Sequence, residues 1–72
     1  MRIEITKGQI LRAYSARPNN LIEVLYPAGE YQANLTPDGK IEILNSAKCK
    51  AQFSFSQFRE KISLGEFILL ET

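Results

Sequence analysis

Chemistry in this chain would have to come from carboxylates, cationic groups, phenols and one thiol, because its 72 residues include no histidine and a single cysteine. The commonest general base at neutral pH and the commonest zinc ligand are therefore both missing. Cys49 alone cannot build a tetrahedral thiolate site. The four glycines, at 8, 29, 39 and 65, are dispersed among turns rather than gathered into a phosphate loop. Among the acids, Glu23 and Glu42 are the one pair that a simple meander would set side by side, and acids on strand faces are ordinarily just solvated. The inventory predicts a non-catalytic protein with no cofactor and no bound metal.

The remaining chemistry is that of binding. Cys49 lies between Lys48 and Lys50, whose ammonium groups would favour a thiolate. In a strand both lysines point to the opposite face, so Cys49, alternating with Ala51 and Phe53, reads as a small buried hydrophobe. Basic and aromatic residues also interleave: Tyr14 lies near Arg12 and Arg17, Lys48 and Lys50 precede Phe53 and Phe55, and Arg59 follows Phe58. A sheet with exposed rings flanked by cations can hold single-stranded nucleic acid, and Tyr14, Lys48, Lys50 and Arg59 are the candidates for that role. Against it stands a net charge of only +1, far from the basic excess of a dedicated nucleic-acid binder. The phenylalanines are also needed for the core.

The charges are unevenly placed. Arg2, Lys7, Arg12 and Arg17 face only Glu4 in the first part of the chain, whereas Glu23, Glu30, Asp38 and Glu42 face only Lys40 in the middle. Such polarity can orient a partner, although scattered surface charges also produce it. The sharper signal is Glu66-Phe67-Ile68-Leu69-Leu70-Glu71, an apolar block of strand length held between two glutamates. An edge strand of this kind would pair with a partner chain or a second copy, with the glutamates limiting uncontrolled association. The alternative is a central strand, paired on both sides within one chain. The expected function is a protein-interaction module acting through a stoichiometric interface, with Phe67, Leu69, Arg12 and Arg17 as contact candidates. Single-stranded nucleic-acid binding is the alternative.

The elements that must position these groups follow from periodicity. Residues 1–72 are read as one small domain, whose chain buries only about 60% of its unfolded surface. Hydrophobic residues at 44% and charged ones at 24% are ordinary for a folded domain. No signal peptide is visible, and the run Phe67–Leu70 is far short of the ~20 residues of a membrane span. A soluble, cytoplasmic protein without a membrane partner is expected.

Ile3 and Ile5 alternate with Arg2 and Glu4, predicting a first strand. Leu21–Tyr26 is apolar on both faces, which predicts a strand buried on both sides, while Tyr31–Leu35 and Ile41–Ile43 alternate. With the turns Pro27-Ala28-Gly29-Glu30 and Thr36-Pro37-Asp38-Gly39 this predicts a three-strand meander over residues 21–45. Ala51, Phe53 and Phe55 continue as a further strand. Ser54-Phe55-Ser56-Gln57 forms a capping box, predicting a short helix over about 55–64 that carries Phe55, Phe58 and Ile62 on one stripe and ends at Gly65. Residues 7–16 admit two readings. Thr6-Lys7-Gly8-Gln9 also fits a capping box before a short helix, yet Lys7-Gly8 can turn a hairpin into a strand over 9–15. The expected fold is α+β: a small antiparallel sheet of about four to six strands with one or two short helices. A nearly all-β small barrel is the alternative.

Overall fold

The computed structural model describes residues Met1–Thr72. Seven strands and one helix follow in the order β1 (Arg2–Ile5), β2 (Gln9–Tyr14), β3 (Leu21–Tyr26), β4 (Gly29–Leu35), β5 (Lys40–Leu44), β6 (Lys50–Ser54), α1 (Phe55–Ser63) and β7 (Phe67–Glu71). The strands form one open antiparallel sheet ordered β3-β2-β6-β5-β4-β1-β7. The fold is α+β, mostly strand, with seven strands and a single helix.

Alternation sets the core face. Ile3, Ile5, Leu11, Ala13, Tyr26, Ala33, Ile41, Ile43 and Ala51 turn inward and are buried, joined by Phe58 of α1 and Phe67 of β7. Phe67 is the hub under the helix: its ring meets Phe53 edge-on at 5.5 Å and Phe58 at 5.9 Å. Phe53 and Ile62 pack against this core part-buried, whereas Phe55, expected on the same stripe, is exposed. Phe55 is the first helical residue, and the change from strand to helix at Ser54 turns its side chain outward.

α1 is bounded as its sequence dictates. Ser54 Oγ accepts from the Gln57 amide while Gln57 Oε1 accepts from the Ser54 amide, closing the capping box. At the other end the Gly65 and Glu66 amides donate back to Ile62 and Lys61, and Gly65 takes φ +76°, as a Schellman ending requires.

One reading left open is decided and one expectation is corrected. Residues 9–14 are strand, not helix: Leu11 and Ala13 face the core while Ile10 is exposed. Their six-residue ladder with β3, from Gln9↔Tyr26 to Tyr14↔Leu21, offers far more pairing than one helical turn behind Gly8. That strand does not pair with β1, so Lys7-Gly8 is a passage between distant strands, not a hairpin turn. The meander over 21–45 is also broken. β4 pairs with β5, but β3 pairs only with β2 and lies at the sheet's edge, so it is not buried on both sides: Leu21, Ile22 and Leu25 are exposed. Pro27 lacks the N–H a tight hairpin would use, and Gly29 at φ +147° redirects the chain. The sheet rolls so strongly that the Tyr26 hydroxyl, at the end of β3, donates to the carbonyls of Ile43 on β5 and of Cys49 just before β6.

Candidate functional site

Open edges and a polar cleft are the two features left over once the core is formed. At the first edge, β7 pairs with β1 alone, with a shift in register between Arg2 and Ile3. Its apolar block ends the sheet instead of crossing its centre, so the central-strand alternative falls away. Phe67, a contact candidate from the sequence, is 1% exposed and belongs to the core; its side chain is not offered to a partner. Leu69 is exposed, as are its neighbours Ile68 and Leu70. The glutamates that flank the block are each held by a cation of the same chain. Lys61 Nζ lies 2.8 Å from Glu66 Oε1 and holds that carboxyl below its usual range. Arg2 lies 3.7 Å from Glu71, and also bonds Glu30 at 2.8 Å.

The opposite edge, β3, exposes Leu21, Ile22 and Leu25, and Ile10 lies opposite Leu25 on the adjacent strand. Arg12 and Arg17, grouped by sequence with Phe67 and Leu69, lie at this end of the molecule: Arg12 on β2, Arg17 in the exposed connection to β3. The sheet order therefore splits the four contact candidates between two ends.

The cleft arises from incomplete pairing. β2 and β6 are matched only at Ala13↔Ala51 and Tyr14↔Lys50 before they splay apart, whereas β5 and β6 stay paired over five positions. The start of α1 closes the gap. Leu11 and Phe53 line the inner part with Ile10, Gln57, Glu60, Lys61 and Leu64, enclosing about 400 Å³. A second compartment of about 400 Å³ adjoins it across Arg12, Gln52 and Gln57, and is completed by Tyr14, Leu21, Lys40 and Ser54.

Of the nucleic-acid candidates, Tyr14 and Lys50 are cross-strand partners on this outer face. Lys48 lies in the Asn45–Cys49 turn at φ +64°, and Arg59 lies on the exposed side of α1 near Ser56, Glu60 and Ser63. The structure does not bring these four together. It instead joins Tyr14 to Arg12 and to Lys40, Gln52 and Gln57, which the sequence did not single out. Their grouping depends on β6 lying between β2 and β5, a long-range pairing that no local spacing announces.

Glu23 and Glu42 are not neighbours. β2 and β6 separate their strands, Glu23 stands opposite Arg12, and Glu42 accepts a 2.8 Å hydrogen bond from Gln52. No three acidic, histidine or cysteine side chains gather in a way that would hold a metal ion. Cys49 is buried in the turn ahead of β6, its amide bonded to Asn45 Oδ1. No helix is long and apolar enough to cross a membrane. Comparison with known proteins finds no matching family model, no matching curated protein and no matching solved structure.

Proposed function

We propose that this domain is a non-catalytic protein-interaction module that works through strand pairing at β7, with a second copy of the chain as its partner. The observation that carries this reading is the unpaired outer edge of β7, lined by exposed Ile68, Leu69 and Leu70. Such an edge offers a row of backbone donors and acceptors to another strand, and isolated proteins normally blunt it with charge, proline or a cover. Here charge is present only at the two ends of the strand.

The arrangement is self-complementary. Antiparallel pairing about a two-fold axis at Leu69 sets Leu69 against its own copy at the centre and Ile68 against Leu70 on each side. The same register sets Glu71 of one copy opposite Phe67 of the other and leaves Glu66 at the end of the paired run. Each glutamate already carries its own cation, Lys61 on Glu66 and Arg2 on Glu71, so neither end of the strand enters the pairing as a bare negative charge. An isologous contact of this type closes at two copies instead of growing into a fibre.

Light scattering over a dilution series tests the proposal with one lysine at each edge. Ile68→Lys should give a folded monomer while Leu25→Lys on β3 keeps the dimer mass. Monomeric wild-type protein at every concentration, or a dimer lost only in Leu25→Lys, would refute it.

A further inference from the structure

We propose that the cleft between β2, β6 and the start of α1 binds a nucleotide unit, with the phosphate between Arg12 and Lys40 and the base against Tyr14. The β7 interface lies at the other end of the strand order, and the Arg12–Lys40 compartment shares no residue with it.

The charge of the cleft is the first argument. Arg12 and Lys40 line its outer compartment, and no carboxylate does. The chain's ion pairs are Arg2 with Glu30 and Glu71, and Lys61 with Glu66, so Arg12 and Lys40 belong to none of them. Glu23 stands opposite Arg12 without forming an ion pair with it, and Glu42, on the strand of Lys40, is engaged by Gln52. Two cations outside any ion pair in one concavity attract an anion, and a guanidinium with an ammonium suits a phosphate. Lys50, cross-strand to Tyr14 and also outside every ion pair, extends the same positive face.

The second argument is the supply of flat and polar groups beside those cations. Tyr14 stands on the outer face of β2, and it lines both the Arg12–Lys40 compartment and the adjoining one with Asn19, Glu42, Lys50 and Gln52. Bases stack on such rings whatever their sequence. Gln57 is oriented by the capping box, its Oε1 taken by the Ser54 amide, which leaves its NH₂ to donate into the cleft. Gln52 gives its NH₂ to Glu42, which leaves its carbonyl oxygen to accept. One donor and one acceptor held by their own neighbours can read a base edge. A volume of about 400 Å³ is on the scale of small-ligand sites. Overall charge near neutrality argues against tracking a long phosphate backbone. It does not count against one or two phosphates held locally.

The ligand chemistry is the same for a free mononucleotide and for one unit of a single strand, so the test uses both probes. Titration of the folded protein with adenosine monophosphate, and with a short fluorescein-labelled oligothymidylate and oligoadenylate, should show saturable binding of at least one. Binding of the mononucleotide alone assigns the site to free nucleotides; binding of an oligonucleotide alone assigns it to strands. The Arg12→Ala/Lys40→Ala variant should weaken affinity by about tenfold or more and flatten its salt dependence. Tyr14→Phe should retain binding and Tyr14→Ala lose it, with circular dichroism confirming the fold of each variant. Lys48→Ala and Arg59→Ala, outside the cleft, should bind as the wild type does. No saturable binding of any probe at millimolar concentration would overturn the proposal. So would binding unchanged in the Arg12→Ala/Lys40→Ala protein or lost in Lys48→Ala.

Discussion

At Tyr26 a phenol is wholly enclosed, yet its one hydroxyl proton is shared between two main-chain carbonyls, Ile43 at 3.0 Å and Cys49 at 3.1 Å. These bonds tie the end of the edge strand β3 to β5 and to the turn before β6. Tyr26→Phe should therefore cost about 1–3 kcal/mol in urea unfolding. Burial disfavours the phenolate and pushes the Tyr26 pKa up to about 12, only partly offset by the Ala51 amide, against 10.0 for a free phenol. The folded state thus holds its proton where the unfolded chain has lost it. Stability should be intact below about pH 10 and should fall toward pH 12, by at most about 1.4 kcal/mol per pH unit from this group. The Tyr26→Phe variant should lose most of that slope. Burial moves Tyr31 in the same direction, so a residue of it should remain. Cys49 was read from the sequence as a buried hydrophobe, and it is 8% exposed. Its reaction with a thiol reagent should track global unfolding, and stoichiometric labelling of the native protein within seconds would contradict that.

At the scale of elements, α1 separates two kinds of contribution. Ser54→Ala removes one cap bond and should cost about 1 kcal/mol. Phe58→Ala leaves a void against Phe67 and should cost about 3–5 kcal/mol, enough to unfold so small a domain. Calorimetry that ranked them in reverse would mean that the helix is held by its ends and not by its seat. The features of α1 were legible because they are local: Ser54, Gln57 and Gly65 lie within about three turns of chain. The strand β7 was legible for the same reason, from four consecutive apolar residues. Residues 9–14 were not. Gln-Ile-Leu-Arg-Ala-Tyr satisfies both a helical spacing at Ile10 and Tyr14 and a strand alternation at Leu11 and Ala13, and only the distant partner β3 decides between them. The meander failed at Pro27-Ala28-Gly29, where turn chemistry announced a change of direction but not that the new direction left the β3 edge. The cleft was illegible for a related reason. Arg12, Lys40 and Gln57 come together only through the order β2-β6-β5, whereas Tyr14 could be noted at once as an aromatic beside cations.

For the whole molecule, the balance between core and edge carries the account. Twelve of the 72 residues are buried, while Leu21, Ile22 and Leu25 at one edge and Ile68, Leu69 and Leu70 at the other remain in solvent. A rolled but unclosed sheet leaves two such edges, and they differ. β3 is tied inward by Tyr26, whereas β7 is held by β1, the helix contact at Phe67 and two ion pairs at its ends. The central claim is that β7 is the pairing edge. Residue-resolved amide exchange measured by NMR over a range of protein concentrations reads it directly. The account predicts that outward amides between Phe67 and Leu70 become more protected as concentration rises, while those of Leu21–Tyr26 do not change. Exchange at β7 that is independent of concentration, or protection that grows at β3 instead, would contradict it.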